Sequence, residues 1–524
     1  MPVPRSRKKI LVVNAYFDDA RKPTRRPTTV LKAMGPPFLA GAFERSMCEV
    51  KLYDEQSSGP LENPDLLGWP DMLVLTGLTA GFDRMLHLTA YARTLNSRVL
   101  VVAGGPAIRL LHDYSKNFFD YCCKGDVEEM LEVIEDAFGK EYVDPAMRPR
   151  YDLAYWIRSF GHVEATRNCN FNCSFCSLTA ERNSYLKLDL AQLRRQIEAC
   201  GKRKFMLFID NNFYGNDRNH FLARLSLIKE MRHKGWFSGF GAMVTSDFFL
   251  IPENLQLARE AGCEALFCGV ESFDAESLRR FNKPQNTVIP QIQMFRECLD
   301  AGILLVYGLI ADVNMRSLRE IQEELRFVTS CSEITLPTFV VLPIPFPGTP
   351  IFREAAAKGE ILPNTNLRDL DGTTLCVRPL DPIGEVTDFV RGLQSLRGHR
   401  IHALTHAFGF LRRYHRPLNM RQLAISFARD LSLAGVPLDF RAGKAPLSTI
   451  LGRRGRPRTH VSTTEILDAT YTPAFPVAYR YKDYFKPTKI TDAAGNLVED
   501  LADQLLGPDG SKLHSTGTAQ VSGT

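Results

Sequence analysis

Residues 168–177 read NCNFNCSFCS and place three of the chain's 12 cysteines, Cys169, Cys173 and Cys176, within eight positions of a 524-residue sequence. Thiolates bind soft metals, so the C-x3-C-x2-C spacing indicates zinc or an iron–sulfur cluster rather than three unrelated buried thiols. A structural zinc site needs a fourth ligand, usually in a second paired element. No such element follows in the sequence, and the nearby His162 precedes the cysteines on a predicted strand. Three ligands would leave one iron of a four-iron cluster open, as a catalytic cluster requires.

The sequence around the cysteines alternates between strand and helix patterns. Strands are predicted at residues 162–166, 204–210, 239–245, 264–270, 303–310 and 334–342. Amphipathic stretches such as LAQLRRQIEACG lie between them. Six such units are too few for an eightfold barrel, so they predict a partial (β/α)6 barrel whose chemistry lies at the carboxyl ends of the strands.

The first 140 residues show the same alternation. Strands are predicted at residues 9–15, 48–54, 71–77, 98–105 and 119–125. This α/β pattern predicts a parallel, doubly wound sheet of the Rossmann or flavodoxin type, whose ligands bind at the carboxyl ends of the strands. The candidate residues there are Thr76, Thr79, Gly104 and Gly105. The glycines would let the backbone approach a ligand, or they simply turn the chain.

The composition predicts a multidomain, soluble protein. The predicted divisions are a doubly wound domain at 1–142, a linker at 143–160, the barrel at 161–360, a mainly helical substrate or cap region at 361–507 and a disordered tail at 508–524. No apolar run reaches the ~18 to 20 residues that span a bilayer. The basic start of the chain is followed by no small-residue cleavage site, so we expect no signal peptide and a cytoplasmic location.

Residues 391–460 carry 14 Lys and Arg against two acidic residues, in a chain whose net charge is only +6. They either form the solvated outer face of packed helices or meet an anionic partner, such as a charged substrate, a membrane surface or nucleic acid. The stretch RRGRPRTH at 453–460 contains one Gly-Arg-Pro core like those of minor-groove DNA hooks. One such core is weak evidence, so nucleic acid is not the expected partner.

CNFNCSFC on a partial barrel resembles the radical SAM superfamily. The resemblance implies that Cys169, Cys173 and Cys176 hold a [4Fe-4S] cluster and that S-adenosylmethionine binds its open iron. Reduction by an electron donor such as flavodoxin or ferredoxin would then give a 5′-deoxyadenosyl radical. Phe175 stands in the aromatic position that packs near the adenine in this superfamily.

Two further motifs resemble one branch of the superfamily. FIDNNF at 208–213 matches a second-strand motif, which implies cofactor contacts for Asp210 and Asn212, although Asn211 replaces the usual second acid. GVES at 269–272, followed by NK at 282–283, resembles a fourth-strand motif. There the resemblance implies that Glu271 and Ser272 hydrogen-bond the ribose or the methionine end of S-adenosylmethionine. A helix cap or a surface ion pair is the alternative role for the two acids.

The stretches PDMLVLTGLT, VVAGGP and FDYCCKGDVEEML resemble the cobalamin-binding domain of cobalamin-dependent radical SAM methyltransferases. After the first strand the chain reads NAYFDDARKPTRRP, without Asp-x-His-x-x-Gly, so a bound cobalamin would lack the lower histidine ligand. The resemblance implies methylation of an unactivated carbon with methylcobalamin.

Two alternatives stay open at this point. One is a cobalamin-independent radical cyclisation, oxidation or rearrangement. The other is a non-catalytic iron–sulfur redox sensor, which would not need the strand-end motifs. The expected substrate is a hydrophobic or anionic small molecule, lipid, tetrapyrrole or peptide, and the pattern identifies no catalytic residue that acts on it. No transmembrane segment is expected, but peripheral contact with a membrane is compatible with the basic region.

Overall fold

The computed structural model of the protein describes residues 7–16, 33–157, 160–181, 183–215, 217–363, 365–393, 399–433, 460–461 and 478–491. The Gly-Arg-Pro core and the predicted tail at 508–524 lie outside the described residues. Within the described ranges, no helix is both long enough and apolar enough to cross a bilayer.

A five-stranded parallel sheet occupies the first part of the chain. Its strands are β1 (Lys8–Asn14), β2 (Cys48–Asp54), β3 (Met72–Thr76), β4 (Leu100–Gly104) and β5 (Tyr121–Cys122), in the order β2-β1-β3-β4-β5. Its helices are α1 (Gly35–Ala40), α2 (Glu55–Ser58), α3 (Pro64–Gly68), α4 (Phe82–Leu95), α5 (Pro106–Leu110), α6 (His112–Ser115) and α7 (Glu129–Phe138). Along β1, Ile10 and Val12 join one apolar core while Leu11 and Val13 join another. Both faces of the sheet are therefore buried, as the unbroken apolar run ILVV at residues 10–13 requires.

A second, six-stranded parallel sheet follows. Its strands are β6 (Phe160–Val163), β9 (Phe205–Phe208), β10 (Gly239–Val244), β11 (Cys263–Glu271), β12 (Leu304–Ile310) and β13 (Phe339–Val341), side by side in chain order. The predicted strands are thus confirmed, but the stretch predicted at 334–342 forms only the short β13. Pro337 lies in that stretch, and proline has no N–H to donate to a neighbouring strand.

Shorter elements and helices surround this sheet. An antiparallel pair, β7 (Thr166–Arg167) and β8 (Leu186–Lys187), brackets the cysteine loop. The helices are α8 (Ser177–Glu181), α9 (Leu190–Cys200), α10 (Arg218–His233), α11 (Glu253–Ala261), α12 (Ala275–Arg280), α13 (Gln291–Asp300), α14 (Leu318–Ser330) and α15 (Pro350–Ala357). Capping boxes begin α9 at Asp189 and α14 at Ser317, which satisfies backbone N–H groups at the start of each helix.

The last described elements are β14 (Thr374–Leu375), α16 (Ile383–Leu393), α17 (Arg400–Tyr414), α18 (Met420–Leu433) and β15 (His460–Val461). Helices α17 and α18 pack as a hairpin beside the barrel, where the side chain of Gln422 donates to the backbone carbonyls of Glu264 and Gly302. Residues 478–491 instead return to the first sheet, where the N–H of Thr488 donates to Asp83 on α4 at 3.0 Å. Parts of the predicted cap region therefore contact both sheets, and the predicted domain boundaries stay predictions.

Candidate active site

The cysteine loop begins just beyond β7 and is held in place by backbone hydrogen bonds. Asn168 has a φ of +60°, a left-handed conformation that asparagine tolerates better than most residues. The N–H and hydroxyl of Ser174 donate to the carbonyls of Phe281 and Arg280, at 3.0 and 2.8 Å. The N–H of Ile351 donates to the carbonyl of Ser174 at 3.2 Å. The loop is therefore fixed to the turn after α12 and to the start of α15.

The three thiols of the loop lie within electrostatic reach of one another. Burial raises the pKa of Cys169 and Cys173, and raises that of Cys176 to about 11. Each pKa is raised further by a neighbouring thiol of the set: Cys176 acts on Cys169, Cys169 on Cys173, and Cys173 on Cys176. Lys283 lowers all three. Lys283 therefore lies close enough to all three thiols to act on each of them.

A single metal ion and a four-iron cluster place different needs on the three cysteines of the loop. No group of three His, Cys, Asp or Glu in the described part of the chain could hold one metal ion. A four-iron cluster instead binds each thiolate to a different iron, so its ligands need not converge on one point. The cation provided by Lys283 would also offset the charge that three thiolates bring. The arrangement is thus compatible with the cluster that the spacing predicts.

Phe175 lies half-buried between the second and third cysteines. Its ring packs edge-to-face on Phe281 with centroids 5.3 Å apart, and the Lys283 ammonium lies 6.0 Å from its centre. Phe175 therefore has an aromatic partner within the protein. Its contact with an adenine stays a prediction.

Asp210 lies two residues beyond β9 and is 1% exposed. Its carboxylate accepts hydrogen bonds from the N–H of Ala165 at 3.1 Å and the hydroxyl of Thr166 at 2.6 Å. The guanidinium of Arg224 is 3.9 Å away. Burial raises the pKa of Asp210, and Arg224 partly opposes that effect. These contacts make Asp210 a brace for the segment that leads into the cysteine loop, and its direct contact with a cofactor stays a prediction.

Asn212 joins the same strand end to the loop itself. Its side-chain N–H donates to Oδ1 of Asn170, between the first two cysteines, at 2.7 Å. Its own Oδ1 is buried and has no hydrogen-bond partner among the described residues. A buried acceptor without a donor is costly, so this atom is suited to accept from a bound ligand.

Glu271 ends β11 with a φ of +63°, in a region that a non-glycine residue seldom occupies. Lys283 donates to Oε1 of Glu271 at 2.8 Å and to the carbonyl of Gly269 at 2.7 Å. Burial lowers the pKa of Lys283, but Glu271 and the Cys173 thiol outweigh it, so the pKa is raised and the ammonium stays charged. The structure therefore places the Glu271–Lys283 pair next to the thiols.

The Ser272 side chain contacts an outer helix instead of the Glu271–Lys283 pair. Its hydroxyl donates to Oε1 of Glu324 on α14 at 2.7 Å and accepts from the N–H of Asp274 at 3.0 Å. Ser272 thus ties the turn after β11 to an outer helix. Its predicted contact with S-adenosylmethionine stays a prediction.

Two polar residues near the thiols do not figure among the predicted site residues. Nε2 of Gln285 lies 4.0 Å from Sγ of Cys173, and its Oε1 is buried without a partner among the described residues. Oδ2 of Asp247, just after β10, is also buried without a hydrogen-bond partner among the described residues. The Asp247 carboxylate raises the pKa of Cys169. The signal available in the sequence was their position, since VTSD ends a strand and PQN directly follows the NK motif.

The candidate residues of the first sheet lie together at its carboxyl edge. Thr76 ends β3, and Gly104 ends the neighbouring β4. Gly105 has a φ of +86°, and a Cβ there would lie 2.7 Å from Oγ1 of Thr76. Thr79 begins a buried 3₁₀ turn, while Leu78 before it is exposed. The glycine is thus required by the close approach of two strand-end loops, and the four candidates share one edge.

The two strand-end regions adjoin each other. Helix α5 starts directly after Gly105, and α8 starts directly after Cys176. Arg109 on α5 pairs with Glu181 at the end of α8 at 3.1 Å and with Asp126 after β5 at 2.6 Å. Both carboxylates hold one guanidinium that is itself largely buried. The carboxyl edge of the first sheet therefore lies beside the cysteine loop.

The inner face of the curved sheet is apolar. Alternate residues such as Phe208, Val244, Leu266 and Leu305 are buried on the outer, helix-covered face. The opposite face presents Leu207, Met243, Phe267, Val306 and Phe339, all of them partly exposed. Phe267 and Phe339 stack with centroids 5.8 Å apart, and Gly308 makes room for them because a Cβ there would lie 2.1 Å from the Phe339 ring.

Parts of the chain are similar in sequence to known proteins. Residues 163–328 match the family described as the Radical SAM superfamily. Among curated relatives, the chain is 24% identical over 324 residues to the hopanoid C-2 methylase of Rhodopseudomonas palustris, covering 58% of this chain and 60% of that protein. It is 25% identical over 213 residues to the bacteriochlorophyllide d C-8(2)-methyltransferase of Chlorobaculum tepidum, covering 38% and 45%. The chain thus spans less than two thirds of these relatives.

Two solved structures share the fold. The cobalamin-dependent S-adenosylmethionine radical enzyme OxsB, with aqua-cobalamin and S-adenosylmethionine bound, aligns with a TM-score of 0.55 at 16% identity, over 85% of this chain and 74% of that one. The radical S-adenosylmethionine methyltransferase TsrM from Kitasatospora setae aligns with a TM-score of 0.51 at 16% identity, over 68% and 78%.

Proposed function

We propose that the chain, whose residues 163–328 match the Radical SAM superfamily, is a cobalamin-dependent methyltransferase that methylates an unactivated carbon of an apolar substrate. When bound, the cluster with S-adenosylmethionine supplies a hydrogen-abstracting radical, and the corrinoid supplies the methyl group. The protein's own residues bind, orient and shield these groups. The names of two curated relatives, a hopanoid C-2 methylase and a bacteriochlorophyllide d C-8(2)-methyltransferase, support this proposal.

Cys169, Cys173 and Cys176 would hold the cluster, and Lys283 would offset its charge. Asp210 would keep the loop in position through the segment at residues 165–166. The unpartnered acceptor of Asn212 would take a hydrogen bond from S-adenosylmethionine, whose amino group and ribose hydroxyls are donors. Phe175 and Glu271 both lie beside the Lys283 ammonium.

The single observation that carries the proposal is the contact between the two strand-end regions. Arg109 and Glu181 bring the edge that contains Gly104 and Gly105 against the cysteine loop. Methyl transfer to a radical requires the methyl donor and the radical source to face one substrate carbon, because reacting groups must lie within a few ångströms. In a cobalamin-binding-type first domain, Thr76, Thr79, Gly104 and Gly105 would contact the corrinoid.

The apolar inner face of the barrel supports an apolar methyl acceptor. Burying such a substrate against Phe267, Met243 and Phe339 would be favourable by roughly 25 cal/mol for each Å² of apolar surface removed from water. The same face would exclude water from the radical. A strongly charged substrate would find no compensating charge on the five inner-face side chains described above.

Anaerobic purification followed by iron, sulfide and corrinoid analysis tests the proposal. We expect iron and sulfide in the wild type, a corrinoid absorbance band, and 5′-deoxyadenosine after addition of reductant and S-adenosylmethionine. Replacing the three loop cysteines by Ala should remove the iron and the 5′-deoxyadenosine. As a matched control, Ala at the partly buried Cys122, Cys123 and Cys331 should retain both.

The outcomes separate the alternatives. Iron retained in the loop variant would refute the site assignment. Iron and 5′-deoxyadenosine without any bound corrinoid would favour a cobalamin-independent radical reaction, and iron without 5′-deoxyadenosine would favour the redox sensor. For the substrate, Met243→Lys should raise the KM for an apolar acceptor at least about tenfold while 5′-deoxyadenosine formation without acceptor is unchanged, since a buried unpaired ammonium is costly. An unchanged KM would exclude the inner face as the binding surface.

A further inference from the structure

The hairpin of α17 and α18 turns an apolar surface away from the barrel. Its inner side is buried through Ala403, Ala407, Phe410 and Tyr414, at helical spacing. Its outer side presents Ile401, Phe408, Met420 and Ile425, each more than half exposed. Phe408 packs edge-to-face on Phe427 across the hairpin, with centroids 5.7 Å apart. We call these four exposed residues the outer face. Isolated exposed apolar residues are ordinary, but four on one helical hairpin form a surface.

The charges around the outer face have one sign. Between residues 400 and 433 the only acidic residue is Asp430, which is buried and bonded to His406 at 3.0 Å. Arg413 and Arg421 pair with Glu333 and Glu264 of neighbouring elements.

Two further arginines on the hairpin stay unpaired. Arg412 and Arg416 are exposed and form no ion pair with any residue that the structure describes. The apolar outer face therefore lies on the same hairpin as two uncompensated cations.

We propose that the outer face of the α17–α18 hairpin docks the protein on an anionic lipid surface. Amphipathic helices that lie on membranes bury an apolar face at the headgroup boundary while their cations meet anionic headgroups. A second copy of the chain is a poorer occupant, because a twofold contact would bring Arg412 and Arg416 close to the same residues of the other copy. Nucleic acid would use the cations but would leave Ile401, Met420 and Ile425 without a partner. The proposal does not depend on the proposed chemistry.

Co-sedimentation of the full chain with vesicles tests the docking surface. The probes are vesicles of phosphatidylcholine and phosphatidylglycerol at 3:1, and vesicles of phosphatidylcholine alone, in 0.1 M salt. We expect binding to the anionic vesicles that weakens as salt is raised. Phe408→Asp and the double variant Arg412→Glu/Arg416→Glu should each raise the lipid concentration for half-binding at least about tenfold, since each lost cation costs roughly fivefold in affinity.

Matched controls carry the same changes elsewhere. Leu222→Asp alters an exposed leucine on α10, and Lys202→Glu/Lys204→Glu reverses two exposed lysines between α9 and β9. Both controls should bind within about twofold of the wild type. Melting temperature and iron content report whether each variant is folded. If Phe408→Asp does not fold, the arginine variant decides, because its two side chains are exposed and unpaired.

Several results would overturn the proposal. These are no binding by the wild type, equal binding to both kinds of vesicle, or binding that neither outer-face variant reduces. A wild-type dimer that Phe408→Asp converts to a monomer would assign the surface to self-association instead. None of these results bears on 5′-deoxyadenosine formation, so the docking surface and the proposed function stand or fall separately.

Discussion

Replacing Asp210 tests whether the strand-end acid braces the cysteine loop or binds a cofactor. The carboxylate is the only charged partner within 4 Å of Arg224 among the described residues, and both side chains are about 1% exposed. Removing one partner of a buried ion pair leaves an uncompensated charge and costs about 3 to 5 kcal/mol. Asp210→Ala also leaves the N–H of Ala165 and the hydroxyl of Thr166 without their acceptor. We therefore expect a loss of about 4 kcal/mol in the free energy of unfolding.

Calorimetry of the iron-free protein measures this loss. For a unit of about 200 residues, 4 kcal/mol corresponds to a fall of roughly 8 to 16 °C in the melting temperature of the barrel. Thr166→Val removes one hydrogen bond to the carboxylate and should cost only about 1 to 2 kcal/mol. The exposed neighbour Asn211 provides the control, since Asn211→Ala should leave the melting temperature within about 2 °C.

One result would refute the bracing role. If Asp210→Ala melts like Asn211→Ala in the iron-free protein, the hydrogen bonds to residues 165–166 do not stabilise the loop. A destabilisation seen only after S-adenosylmethionine is added would assign Asp210 to cofactor binding instead.

Three further predictions follow from individual residues. Burial raises the pKa of Asp83 from 3.8 to about 6, so the stability contributed by the protonated carboxyl is complete below pH 3.8 and is lost as the pH rises through 6. The melting temperature of the wild type should therefore fall relative to that of Asp83→Asn between pH 4 and 7. A difference in melting temperature that stays constant over this range would contradict the prediction. Gly105→Ala adds a clash with Thr76 to an unfavourable φ, so it should lower the melting temperature more than Gly201→Ala, where the φ is also positive but the space is open. Equal melting temperatures for the two variants would exclude the clash. Lys283→Met removes the cation that lowers the pKa of the three loop thiols, so iron incorporation at pH 7 should slow and should partly recover at higher pH. The absorbance of the reconstituted cluster measures the rate of incorporation. A variant that incorporates iron at the wild-type rate at pH 7 would count against this role of Lys283.

Much of the fold follows from local patterns. Unbroken apolar runs such as ILVV at residues 10–13 predict strands of parallel sheets, because both faces of those sheets are buried. The short β13 shows where the pattern was incomplete, since Pro337 removes a backbone donor from an otherwise apolar run. The return of residues 478–491 to α4 had no local signal. This return depends on contacts such as the hydrogen bond from the Arg93 guanidinium to the Tyr484 hydroxyl. The two residues are 391 positions apart, so no local pattern could predict their contact.

The cysteine spacing and the strand periods by themselves determined the two parallel sheets and the proposed cluster ligands, because ligand spacing and side-chain alternation are local properties. Only the tertiary structure decided the direction of each strand-end side chain. Glu271 pairs with Lys283 beside the thiols while the adjacent Ser272 faces Glu324, since a register shift and a positive φ turn the chain there. Only the tertiary structure also brought Arg109 to Glu181, because a contact between residues 72 positions apart depends on how the two sheets pack.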